Sequence, residues 1–184
     1  MAKKESKVYT YEDILNLPEG ERAELIDGKL YMMASPSINH QIVSFKIAQK
    51  IQNYIDSKNG NCVVLTAPSD VKLFKDKDDI VEPDMYIVCD TKKLSGNKCI
   101  GAPDMVVEVL SPSSISRDVL LKYNKYMESG VREYWVVDIE SRLINVYNFE
   151  KPELSGYSFD DEIPIGIFNG DCSVCLRNIN LIEE

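Results

Sequence analysis

The sequence predicts an α/β or α+β domain built round one β-sheet, and three observations carry that prediction. Segments with helical spacing alternate with short runs rich in Val, Ile and Tyr, in the order helix, strands, helix, strands. An Asp-Gly pair between two apolar runs, at residues 27 and 28, marks a hairpin near the N-terminus. Length bounds the rest, because 184 residues suit one compact unit with a core of its own. Apolar content of 44% with 28% charged residues belongs to a globular chain rather than a disordered one.

Each element has its own signal. Thr10-Tyr11-Glu12-Asp13 has the Thr-x-x-Asp form of a helix start, and Pro18 and Gly20 end the short helix that it opens. Residues 21–33 read as the hairpin, Ala23-Glu24-Leu25-Ile26 against Leu30-Tyr31-Met32-Met33. From 37 to 57 the period becomes helical. Ile38, Ile42, Phe45, Ile51 and Ile55 form the expected inward stripe, Ala48 fills it, and Lys58-Asn59-Gly60 supplies the stop. Strands are expected at 62–66, 70–74 and 85–89, with the mixed-charge run 75–79 as a solvated loop tip. Residues 105–110 are strongly β-type. Ser111-Pro112-Ser113-Ser114 breaks that run and offers hydroxyl caps to a helix over about 114–129. Val119, Tyr123 and Tyr126 or Met127 should face the core there, with Gly130 as the stop. Strands follow at 133–138 and 143–149, then shorter β-like pieces at 163–168 and 173–176.

With 21 Lys plus Arg against 30 Asp plus Glu, the chain carries −9 at neutral pH. That balance argues against a protein whose main task is to coat nucleic acid by neutralising phosphates. It leaves room for an enzyme that gathers carboxylates round metal ions. The five cysteines are odd in number and scattered, so all are expected as free thiols in a reduced, cytoplasmic setting. Cys172-Ser173-Val174-Cys175 lacks the second ligand pair that a structural zinc needs and reads as a piece of strand. No apolar stretch suggests a signal peptide or approaches the roughly 20 residues of a membrane span.

The chemistry is narrowed first by what is missing. There is one His, no Gly-x-Gly-x-x-Gly, no Gly-Lys-Ser phosphate loop and no Gly-x-Ser-x-Gly elbow. His40, at a helix start, reads as a capping or packing residue, or as one lining a site mouth. The carboxylates say more. Glu82-Pro83-Asp84 stands where an apolar strand begins, and Glu108 is embedded in Met-Val-Val-Glu-Val-Leu. An ionised carboxylate in such a run costs several kcal/mol unless a cation or strong donors compensate. Glu108 therefore needs a metal, a basic side chain, or the wet face of an edge strand. Asp84 and Glu108 lie 24 residues apart on separate strands, which can bring both to one ion. Glu24 is a third acid in strand-like surroundings. Hard cations such as Mg²⁺ favour carboxylate oxygens, and one or two can polarise a phosphodiester.

Pro83-Asp84 followed by Glu108-Val109-Leu110 resembles the PD-(D/E)xK nuclease signature. Glu24-Leu25-Ile26-Asp27-Gly28, the stretch from Ser35-Pro36-Ser37 to His40, Glu82-Pro83-Asp84, the block 107–114, Lys122 to Tyr126, and the block 130–138 together resemble the Uma2 family, over about residues 9–150. That resemblance implies a restriction-endonuclease-like core with a central mixed β-sheet flanked by helices. It implies one domain over 1–184, with a core at about 9–150 and a β-rich C-terminal extension at 151–184. It also implies a Mg²⁺- or Mn²⁺-dependent endonuclease acting on nucleic acid, DNA foremost, and a homodimer. Asp84 and Glu108 would ligate the ion with the Val109 carbonyl, Glu24 would complete the shell or hold one of its waters, and Lys122 would stabilise developing phosphate charge.

One departure matters. The general signature has Lys two residues after the acid, on the same strand face, and that position here is Leu110. Family members resemble this chain in carrying a Lys on the following helix, which is Lys122. Asp118, one turn earlier, could instead hold Lys122 as a surface pair, and Tyr126, one turn later, faces either the cleft or the core. Asp104 rivals Asp84 for the Pro-Asp position but shares a strand with Glu108. Substrate attraction would rest on a patch of Lys122, Lys125 and Arg117. The alternative reading is a nuclease-fold module without catalysis that binds or dimerises, which Leu110 and the net charge favour.

Overall fold

The computed structural model describes residues 7–111 and 116–183, the side chains of 116–118 excepted. Helix α1 (Tyr11–Leu15) starts where the Thr10 N–H donates to the Asp13 carboxylate at 2.8 Å. The hairpin follows as β1 (Ala23–Ile26) and β2 (Lys29–Met32). Its turn sets Asp27 at φ 50° and Gly28 at φ 69°, the two positive values that suit the twist of a two-residue hairpin and that Asp-Gly adopts readily.

Helix α2 (Ile38–Ser57) is capped by Ser37, whose hydroxyl accepts from the His40 N–H at 3.2 Å. Its inward face corrects the expected stripe. Val43, Ile47, Ile51 and Ile55 are buried, whereas Ile38 is 66% and Phe45 64% exposed. Two apolar ladders overlap in this sequence, and the longer unbroken one, at spacing four, takes the core. A phenylalanine is left in solvent.

The remaining strands are β3 (Val63–Thr66), β4 (Asp70–Lys72), β5 (Ile80–Val81), β6 (Met85–Val88), β7 (Leu94–Ser95), β8 (Lys98–Ile100) and β9 (Met105–Val109). Helix α3 (Ser116–Ser129) then leads to β10 (Glu133–Asp138), β11 (Leu143–Asn148), β12 (Glu153–Ser158), β13 (Ile163–Pro164) and β14 (Ser173–Val174). Instead of one sheet there are two of six strands, ordered β2-β1-β5-β4-β8-β7 and β12-β11-β10-β9-β6-β3, with β13 and β14 paired apart. Both large sheets are mixed. β9 and β10 run parallel across α3, and β4 and β8 run parallel in the other sheet. Strand β12 carries no apolar alternation of its own, yet it pairs with β11 along its full length. Such pairing is dictated by the neighbour's register.

β9 lies between β6 and β10, so Glu108 is not on an edge, and the wet-face reading is overturned. Alternation sends Met105, Val107 and Val109 into a core with α2, while Val106 joins a second core with Tyr126 of α3. Glu108 shares the parity of Val106 and is 9% exposed. Leu110, where the general signature has Lys, packs against that second core.

The β3–β6 register pairs Val63 with Val88, which sets Cys62 opposite Cys89, and the two are joined by a disulfide. Only Cys99, Cys172 and Cys175 are the free thiols expected of all five. The run 75–79 is also not wholly solvated. Asp79 is buried, accepts the Asp27 N–H at 2.8 Å, and meets Lys125 Nζ at 3.1 Å. Lys125, expected in a substrate-attracting patch, is buried as well and reaches Asp27 at 2.5 Å. It ties α3 to the hairpin turn.

Lys125→Met would strand Asp79 without its cation. Unpairing one buried ionic partner while one hydrogen bond survives costs about 2–3 kcal/mol. Thermal unfolding should show a midpoint lower by roughly 4–12 °C; an unchanged midpoint would mean that α3 is anchored elsewhere. The hydroxyl caps expected at Ser113 and Ser114 lie outside the described residues. Among the described residues, no helix is long and apolar enough to cross a membrane.

Candidate functional site

Glu24 from β1, Glu108 from β9 and Lys122 from α3 meet in one cluster. Lys122 Nζ lies 2.8 Å from Glu24 Oε1 and 2.9 Å from Glu108 Oε1. Helical spacing of four sets Tyr126 on the same face of α3, where its hydroxyl donates to the same Glu108 oxygen at 2.6 Å. Tyr126 is fully buried, so it is at once a core residue and a neighbour of the cluster. Glu24 Oε1 also accepts the Glu82 N–H at 3.0 Å, and Glu82 in turn pairs with Arg22.

Asp84 stands just before β6. Its Oδ2 accepts the Val109 N–H at 2.7 Å and lies 3.0 Å from His40 Nε2. All five side chains, His40, Glu24, Asp84, Glu108 and Lys122, line one cleft of about 1110 Å³. This is large enough for a substrate rather than a water.

The electrostatics follow from burial and crowding. Burial pushes the Glu108 carboxyl up to about 7; Lys122 opposes the shift, and Asp84 and Glu24 reinforce it. Burial alone would lower the Lys122 ammonium, but Glu108 and Glu24 outweigh it and hold the group well above the ordinary lysine value. Lys122 is thus a fixed cation, and burial holds Glu108 well up from the ordinary carboxylate range. For His40, burial acts downward, and the Asp84 carboxylate and Val109 backbone outweigh it, so the imidazole is raised. Burial, followed by the charge on Glu108, drives the Tyr126 and Tyr134 phenols well above their usual value.

Asp104, the rival acid, is held elsewhere. It accepts the Cys89 N–H at 2.8 Å and faces Arg132 at 3.3 Å. The side chains of Asp118 and Arg117, expected as a surface partner and as part of a basic patch, lie outside the described residues. His40 is the residue that sequence reasoning left without a partner. Its one signal was position, in the first turn of α2 directly after Ser35-Pro36-Ser37; nothing in the spacing links residue 40 to residue 84.

Among the described residues, no three His, Cys, Asp or Glu side chains are grouped closely enough to enclose a metal ion. The donor types still suit a hard cation, since Asp84, Glu108 and the Val109 carbonyl offer only oxygen.

Residues 9–170 match the sequence model of the Uma2 family, described as "Putative restriction endonuclease". The uncharacterized protein slr1290 of Synechocystis sp. (strain PCC 6803) is 30% identical over 130 residues, which is 70% of this chain and 66% of slr1290. A second uncharacterized protein of that organism, sll1609, is 24% identical over 139 residues, 72% of this chain and 76% of its own length. Among solved structures, a "putative nuclease belonging to DUF820" from Anabaena variabilis ATCC 29413 superposes with a TM-score of 0.75 at 19% identity. The match covers 92% of this chain and 96% of that one. At such identity the likeness speaks for the fold alone, and the fold is restriction-endonuclease-like.

Proposed function

Because the chain belongs to the Uma2 family, we propose that it is a metal-dependent endonuclease that hydrolyses nucleic-acid phosphodiesters in this cleft. One observation carries the reading. A half-buried ammonium, Lys122, sits 2.8 and 2.9 Å from two buried acids, beside a third acid held by His40, in a cleft open to substrate.

Asp84 and Glu108, with the Val109 carbonyl, would hold Mg²⁺ or Mn²⁺, and Glu24 would complete the donor set. When bound, such an ion supplies Lewis-acid stabilisation of the charge that builds on the scissile phosphate. Lys122 brings a permanent positive charge to the same place and stabilises the phosphate oxygens as they gain charge. Tyr126 fixes the Glu108 carboxylate through its hydroxyl, and His40 fixes Asp84, so the two acids keep their orientation without reorganising.

The pH dependence follows from Glu108. Below its pKa of about 7 the carboxyl must give up its proton to ligate; above it the carboxylate is already free to do so. Mn²⁺ affinity, measured by calorimetry, should therefore rise by roughly tenfold per pH unit toward pH 7 and level off above it. A flat profile through this range would take Glu108 out of the ligand set. His40→Ala frees Asp84 to turn and should weaken Mn²⁺ binding by roughly 10–100-fold. Binding equal to wild type would reduce His40 to packing.

A second reading, a non-catalytic binding or dimerisation module, is favoured by Lys122 already pairing with both Glu24 and Glu108. The homodimer implied by the fold family fits either reading. The two part on metal binding. Wild-type protein that binds no divalent ion at millimolar concentration would leave the module.

A further inference from the structure

The walls of the cleft differ in kind from its base. Tyr31, Met32, Phe45 and Pro68 line it with apolar and aromatic surface. Phe45 is 64% and Met32 57% exposed, so neither is absorbed by the core. Gln41 and Ser44, from the same stretch of α2 as Phe45, add uncharged hydrogen-bonding groups. Among the described residues, the Lys and Arg side chains that line the cleft are Arg22 and Lys122, and both are already paired. Arg22 is held by Glu82, and Lys122 by Glu24 and Glu108.

A duplex is held mainly through its phosphates by unpaired basic side chains, and its base faces are hidden in the stack. This wall offers neither free cations nor a way to reach stacked bases. A single strand presents its base faces, and each one stacked on an aromatic side chain strengthens binding by roughly ten- to hundredfold with little sequence preference. Resting on the nuclease reading above, we propose that the substrate class of this site is single-stranded nucleic acid, with a base stacked on Phe45 while the adjoining phosphodiester lies over Asp84, Glu108 and Lys122. Phe45 is then a substrate-binding residue, and its exposure in the free protein is the condition for that role. The charge of −9 fits this assignment, because stacking binds a strand without the phosphate neutralisation that the described cleft lining does not offer.

Fluorescence anisotropy tests the proposal on the full chain, with Ca²⁺ in place of Mg²⁺ and three probes of equal length: a thymidine single strand, an abasic single strand and a duplex. The thymidine strand should bind at least about tenfold tighter than either of the others. Phe45→Ala should lower that affinity about tenfold, and Phe45→Trp should retain it. Thermal unfolding midpoints of both variants should match wild type, because the ring is 64% exposed. Equal binding of the abasic strand or the duplex, or Phe45→Ala binding like wild type, would overturn the proposal. So would a Phe45→Ala variant that turns a dimer into a monomer with strand affinity intact. Mg²⁺-dependent cleavage of duplex without single-strand preference would sink this inference and leave the nuclease reading standing. No binding and no cleavage of any probe would remove both.

Discussion

Glu108→Gln should abolish metal-dependent cleavage while leaving the fold intact. The amide keeps the shape of the side chain and can still accept from Tyr126, but it brings no negative charge to a cation. Loss of a metal worth several kcal/mol of charge stabilisation lowers the rate by about 10³-fold or more. The fold should tolerate the change, because burial already disfavours the ionised form of Glu108 and the neutral amide carries no such penalty. Lys122 would keep Glu24 as its partner at 2.8 Å. Nicking assays with Mg²⁺ and Mn²⁺, alongside circular dichroism, check both halves. Asp84→Asn should behave in the same way. Cleavage that persists in both variants would trace the activity to another nuclease and remove these acids from the site.

Lys122→Met should have the largest effect on stability. Methionine matches the length of the aliphatic stem but leaves Glu24 and Glu108 facing each other in a buried cluster. Breaking a buried pair in this way costs about 3–5 kcal/mol, which lowers the unfolding midpoint by roughly 6–20 °C for a chain of this size. The sign with pH is fixed by Glu108. Its folded pKa of about 7 is above the ordinary carboxylate value, so acidification protonates it and removes one of the two opposed charges. The gap between variant and wild type should shrink from pH 8 to pH 5. Mn²⁺ should raise the midpoint of the variant more than that of the wild type, since a cation would replace the missing ammonium. Equal metal shifts in the two proteins would show that the ion binds away from this cluster.

The local elements were legible because their signals are local. Asp27-Gly28 demanded its turn, Gly130 ended α3 at φ 95°, and the β-type run around Glu108 became β9. Glu24 and Glu108 could be singled out because an acid in an apolar run requires a partner, Lys122 entered through the resemblance to the Uma2 family, and the structure sets all three in contact. The rest depended on contacts that periodicity does not encode. α2 carries two overlapping apolar ladders, and only packing chose Val43-Ile47-Ile51-Ile55 over the ladder that includes Phe45. The Cys62–Cys89 bond depends on strand register, and so does the division into two sheets. His40 with Asp84, and Lys125 with Asp27 and Asp79, join residues 44 or more positions apart through loops whose courses no spacing rule fixes. Asp79 and Lys125 looked solvated in sequence and are buried against opposite charge, and for these as for His40 only the fold identifies the partner.

The most direct test of the central claim is a crystal structure of the wild-type protein soaked in Mn²⁺ above pH 7, with anomalous data collected at the manganese edge. The expected result is one anomalous peak liganded by Asp84, Glu108 and the Val109 carbonyl, with the Lys122 amine beside it. Saturating Mn²⁺ that gives no peak among these groups, or one coordinated only elsewhere on the surface, would contradict it.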